Sequence, residues 1–193
     1  MPPTGVGRRG QKFEVWIRSV PKENALFALR AGLREVENLA KNGLTKEQFE
    51  FTKRFLKGYS LHFAEGTSQR LGYAVDDKYF GLASGSNAGH LAMFRKMMDE
   101  ITLDEVNAAV KKYMQADNIQ IAIVTPDASG LKEALVSDAP SPVTYPKVMT
   151  PTKEILAEDK IIEAWPMKIT AENVGIVPVK EMFAGESAKS SVR

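Results

Sequence analysis

The chain has 193 residues, with 26 Lys plus Arg against 24 Asp plus Glu and a formal net charge of +2, a near-balance that argues against a dedicated nucleic-acid binder. With 44% hydrophobic and 8% aromatic residues, a chain of this size removes about 70% of its extended surface from water, which excludes disorder for most of its length. The absence of cysteine rules out disulfides, thiolate metal sites and a cysteine nucleophile, and no apolar run approaches the roughly 18 residues of a membrane span.

The opening residues Met1 to Gly10 hold no apolar core of a signal peptide, so an export signal, if there is one, is expected outside this chain. Residues 1–11 read as a flexible segment. Phe13, Val15, Ile17 and Val20 then alternate with Glu14, Trp16 and Arg18, which predicts a strand ended by Pro21. From Glu23 to Asn42, Leu26, Leu29, Leu33, Val36 and Leu39 recur every three or four residues and predict a one-sided helix with Gly43 at its C′ position. Thr45 and Gln48 form a capping box, flanked by the staple pair Leu44 and Phe49. The second helix therefore starts at Thr45 and runs to about Gly66, with Phe49, Thr52, Leu56, Tyr59 and Phe63 facing inward.

A third helix opens at Thr67 or Ser68 and carries Leu71, Ala74 and Val75, until Gly81 and the loose run from Ala83 to Gly89 interrupt it. A fourth uses Leu91, Phe94, Met97 and Met98. The fifth repeats the capping device with Thr102 and Glu105, stapled by Ile101 and Val106, and Asn118 closes it. Ile119 to Thr125 reads as a strand, followed by a turn at Pro126-Asp127 and a short helix from Gly130 to Val136.

Pro140, Pro142, Pro146 and Pro151 punctuate the next stretch, predicting an extended arm over 138–183 that docks Ile161, Ile162 and Trp165 on the body. Val174 to Val179 offers a late edge strand containing Pro178, and residues 184–193 a frayed tail. The expected fold class is α+β: several amphipathic helices covering an antiparallel or mixed sheet over residues 12–137. Two strands and one edge fall short of the four to six strands of an ordinary sheet, so the sheet is expected to be incomplete.

Few residues suggest chemistry. His62-Phe63-Ala64-Glu65 matches four positions of the inverted zinc motif H-x-x-E-H, but Gly66 stands where the second histidine belongs. His90 is the other histidine, and a catalytic zinc needs about three protein ligands. Asp76 and Asp77 are adjacent and point about 100° apart on a helix, which suits an exposed turn or capping better than acid–base work. No G-x-S-x-G elbow is present, and Gly81 to Ser86 lacks the P-loop lysine. Arg8, Arg9 and Lys12 read as a solvated basic terminus, and Met93, Met97 and Met98 as core filling.

The run from Phe13 to Arg30, the joint Asn42-Gly43-Leu44-Thr45-Lys46-Glu47-Gln48-Phe49, then Arg70-Leu71-Gly72-Tyr73-Ala74, Thr102 to Ala109, Ile119 to Asp127 and Ala139 to Pro142 together resemble the C-terminal homologous domain of the insulinase, pitrilysin and processing-peptidase family of zinc metallopeptidases. The likeness covers about residues 12–183. It implies two related halves closing like a clamshell around a peptide or unfolded polypeptide. In that family the N-terminal half carries the zinc motif and its general-base Glu, and the C-terminal half supplies an Arg and a Tyr seven residues apart on an early strand pair.

This chain has no zinc motif and begins after the strand that would bear the pair. Arg70 and Tyr73 do not match its spacing, because Gly66 stands seven residues before Tyr73. No catalytic, substrate-binding or metal-ligating residue is assigned. The resemblance thus implies a chamber wall that is inactive alone, with zinc in an N-terminal half of the parent or in a homologous partner subunit. The alternative is a non-catalytic structural subunit of a zinc-bearing homologue. Similar bacterial proteins are often periplasmic.

Overall fold

The computed structural model of the chain describes residues 13–82 and 89–182. The readings placed on 1–11, on Arg8, Arg9 and Lys12, on most of the run from Ala83 to Gly89 and on 184–193 lie outside them. Of the described residues 61% are helical, and none is in a strand. The expected α+β fold with an antiparallel or mixed sheet is therefore overturned: the described structure is helical.

The physical reason is that alternation qualifies a segment for a ladder without supplying one, and a lone pair of strands is marginal in water. The segment from Phe13 to Val20 takes no regular structure but meets the first helix by its side chains, Val15 and Ile17 lying over Gly32. Ile119 to Thr125 likewise takes no regular structure and joins no ladder. The expected edge strand at Val174 to Val179 is confined between 3-10 turns at Ala171–Asn173 and Val179–Glu181.

The chain divides into two compact units. Of the described residues, 13–14 and 38–115 form one, and 15–37 and 116–182 the other. Helix α1 (Ala25–Asn42) gives its residues up to Glu37 to the second unit and the rest to the first.

In the first unit, α1 ends at Gly43, whose φ of +69° suits only glycine comfortably. Asn107, on α5 (Leu103–Tyr113), holds the next residue at both backbone groups, accepting from the Leu44 amide at 2.8 Å and donating to its carbonyl at 3.0 Å. Helix α2 (Lys46–Tyr59) starts at the predicted capping box: Thr45 accepts from the Gln48 amide, and the Gln48 side chain accepts from the Thr45 amide. It ends earlier than expected, passing into a 3-10 turn at Ser60–His62.

Its inner face is also rotated from the predicted stripe. Phe49, Lys53, Leu56 and Ser60 turn inward, while Phe51, Phe55 and Tyr59 remain exposed. Lys53 is bonded on this face. Its ammonium donates to the carbonyls of Asp99 and Ile101 at the end of α4 (His90–Glu100), where orphan carbonyls favour a cation. Lys57 pairs with Asp99, and Phe63 meets Phe94 edge-on at 5.6 Å.

Helix α5 carries the second predicted capping box, Thr102 with Glu105. The two boxes differ in one respect that can be measured, since Gln48 cannot titrate and Glu105 can. Hydrogen bonds from the Thr102 hydroxyl and amide lower the Glu105 pKa below its ordinary value near ~4.3. A depressed carboxylate stabilises the fold above its unfolded pKa and loses that contribution as pH falls through the folded one. Thr45→Ala is expected to cost about 1 kcal/mol at every pH. The cost of Thr102→Ala is expected to shrink as pH falls through the Glu105 range; urea unfolding of both variants at pH 7 and below pH 4 checks this, and parallel pH profiles would refute it.

The second unit is organised around α1 and α6 (Ala128–Ser137), which Asp127 caps by accepting from the Gly130 amide at 3.0 Å. Leu29, Leu135 and Met167 form its buried cluster, with Leu26, Leu33, Leu131 and Ile169 packed around them. The predicted stripe of α1 is thus used as far as Leu33. The Pro-punctuated arm, expected to be extended throughout, holds a further helix, α7 (Lys153–Glu163). Pro151 precedes its N-cap, Thr152, so this proline marks a helix start rather than a break.

Arg30 ties the arm to α1. It is completely buried and donates through Nε to Ser141 Oγ at 2.9 Å, through Nη2 to the Ala139 carbonyl at 2.8 Å and through Nη1 to the Trp165 carbonyl. Nη1 also pairs with Asp138 at 3.0 Å. Trp165 Nε1 in turn donates to Glu37, and Ile162 is buried.

Candidate functional site

Helix α3 (Thr67–Tyr79) begins beyond Gly66, whose amide donates to the Gln69 side chain at 2.7 Å. Arg70, Tyr73 and Asp77 follow at intervals of three and four residues, which places them on one helix face. That face and α4 border an open cleft of about 370 Å³, and Arg95 of α4 completes its polar lining. The cleft lies within the first unit.

Asp77 fixes where α4 starts. Its Oδ1 accepts from the His90 amide at 2.8 Å and from His90 Nδ1, an ionised carboxylate being able only to accept. Gly89 has a φ of +89°, and a side chain there would collide with Asp77 Oδ2. Both carboxylate oxygens are thus turned to the start of α4. His90 is buried beside Tyr73 and Phe80, at ring separations of 6.4 and 6.1 Å.

The remaining polar groups of the cleft are donors. Arg70 Nε donates to the Ala64 carbonyl at 3.0 Å, and among the described residues its two terminal nitrogens have no partner. Arg95 has none for any of its three. Partial burial, and secondarily the charge of Asp76, raises the Tyr73 pKa, so its hydroxyl stays protonated at neutral pH. Two guanidiniums with nitrogens that have no partner among the described residues give a site suited to an anion.

The sequence-predicted candidates fall elsewhere or take other roles. His62 is exposed on the 3-10 turn and pairs with Glu65 through Nδ1, while His90 lies at the start of α4 bonded to Asp77. These donors do not fit a zinc site in this chain, because α2 has already ended where the motif needs a continuing turn to present a second imidazole. Among the described residues no group of three or more His, Asp or Glu side chains converges on one point. Asp77 caps, as the capping alternative held, but Asp76 is buried rather than in an exposed turn.

The sequence reading did not find the cleft. The spacing of Arg70, Tyr73 and Asp77 was visible, but Arg95 joins them only through the packing of α4 on α3. No helix among the described residues is long and apolar enough to cross a membrane. Compared with known protein families, with curated proteins and with solved structures, the chain matches none.

Proposed function

We propose that this chain is the C-terminal, chamber-forming and non-catalytic part of an insulinase-like zinc endopeptidase that acts on peptides or unfolded polypeptides, with zinc and general base in the N-terminal half. The observation that supports the reading is the order and spacing of the family-like segments along the sequence. Pro21 to Asn24 falls on the 3-10 turn that leads into α1, Asn42 to Phe49 on the joint between α1 and α2, Arg70 to Ala74 within α3, and Thr102 to Ala109 on the capped start of α5.

The test is peptide hydrolysis and zinc content of the purified chain, alone and mixed with the zinc-bearing N-terminal half of an insulinase-like peptidase. The expected result is no hydrolysis by the chain alone and cleavage on mixing, with zinc following the other half. Stoichiometric zinc together with cleavage by the chain alone would overturn the proposal.

A further inference from the structure

We propose that the cleft between α3 and α4 is a binding site for a peptide carboxylate, held by the guanidinium groups of Arg70 and Arg95 with the Tyr73 hydroxyl as a further donor. A guanidinium presents its N–H groups as a planar fork that a carboxylate matches with two parallel hydrogen bonds. Here two such forks face one cleft with five terminal or unshared nitrogens uncommitted among the described residues, two on Arg70 and three on Arg95. Asp77, the carboxylate in the lining, has Oδ1 taken up by the amide and ring of His90, and its Oδ2 lies against Gly89.

The same lining favours a carboxylate over a phosphate. Its other walls are Ala64, Ala74, Leu91 and Ala92, apolar surfaces that suit the aliphatic part of an amino acid. The volume of about 370 Å³ lies at the lower end of small-ligand sites, room for one end of a peptide. Helix spacing brings Arg70 and Tyr73 together, and Arg95 comes from a second helix, so the site differs from an Arg and Tyr seven residues apart on strands. It does not depend on the peptidase reading, because binding is measured on this chain alone.

The experiment is an NMR titration of the isotopically labelled full chain with four ligands: acetyl-trialanine with a free carboxylate, acetyl-trialanine amide, that amide with a central glutamate, and inorganic phosphate. The expected result is saturable shifts in α3 and α4 with either carboxylate-bearing peptide, the tighter of the two naming the source of the carboxylate, and none with the neutral amide. Arg95→Gln and Arg70→Gln are each expected to raise Kd about tenfold. Both side chains are exposed, so thermal unfolding stays unchanged and reports that the variants fold. Equal binding of the neutral amide, unchanged affinity in both Gln variants, or tighter binding of inorganic phosphate than of either peptide would overturn the proposal.

Discussion

Replacing Arg30 with methionine is expected to lower the stability of the second unit by about 3–5 kcal/mol. Apolar replacement of buried charges can be harmless when the whole ionic group goes, but here three of the partners are fixed. The carbonyls of Ala139 and Trp165 and the Ser141 hydroxyl stay where the arm places them. Methionine fills the volume and leaves those acceptors without their donors, each worth about 1–3 kcal/mol when stranded. Asp138 contributes less to the loss, since its side chain is 31% exposed and water can take over its charge.

Arg30→Lys keeps the charge but replaces the fork with a single point donor, so an intermediate cost of about 2 kcal/mol is expected. Both tryptophans, Trp16 and Trp165, belong to the second unit. In a Trp16→Phe background, fluorescence of Trp165 during urea unfolding reads that unit directly. A change of under about 1 kcal/mol for Arg30→Met would show that the clamp is dispensable.

Gly43→Ala is the second large effect, expected at about 2–4 kcal/mol in the first unit. Part of it is backbone strain, roughly 1–2 kcal/mol for an L-residue held in the left-handed region. The rest is steric: a Cβ at Gly43 would lie 2.6 Å from Asn107 Oδ1 and 2.8 Å from its Cγ. The amide side chain must then give way, and its two bonds to Leu44 go with it, at about 1 kcal/mol each. Asn107→Ala alone forfeits those bonds but not the backbone conformation. The double variant should cost less than the sum of the two singles, because the collision has no partner left. Additive costs, measured by circular dichroism during urea unfolding, would show that the collision is relieved elsewhere.

These two sites divide along a line that also separates what could and could not be read from the sequence. Gly43 was visible as a helix stop, and the boxes at Thr45 and Thr102 as helix starts, because a cap involves groups within three or four residues of one another. Its geometry follows from local chain order. The stripe of Leu26, Leu29 and Leu33 was equally legible, since helical periodicity selects one face whatever covers it.

Arg30, by contrast, looked like one more charged residue on a helix. Its partners lie more than a hundred residues away, and only the return of the arm shows that it is a clamp. The same holds for Arg95, which joins Arg70 and Tyr73 only when α4 packs on α3.

By itself, then, the sequence determined the capped starts of α2 and α5, the stop at Gly43 and the inward face of the start of α1, all set by short-range sterics and hydrogen bonding. The tertiary structure decided three things the sequence left open or misdirected. It left the alternating segments at Phe13 to Val20 and Ile119 to Thr125 without a sheet, it made a helix beyond Pro151, and it set two arginines beside one cleft. The reason is common to all three: a ladder, a docked helix and a charge-lined cleft are made by pairs of distant segments, and local pattern states what each segment can do without saying which partner it meets.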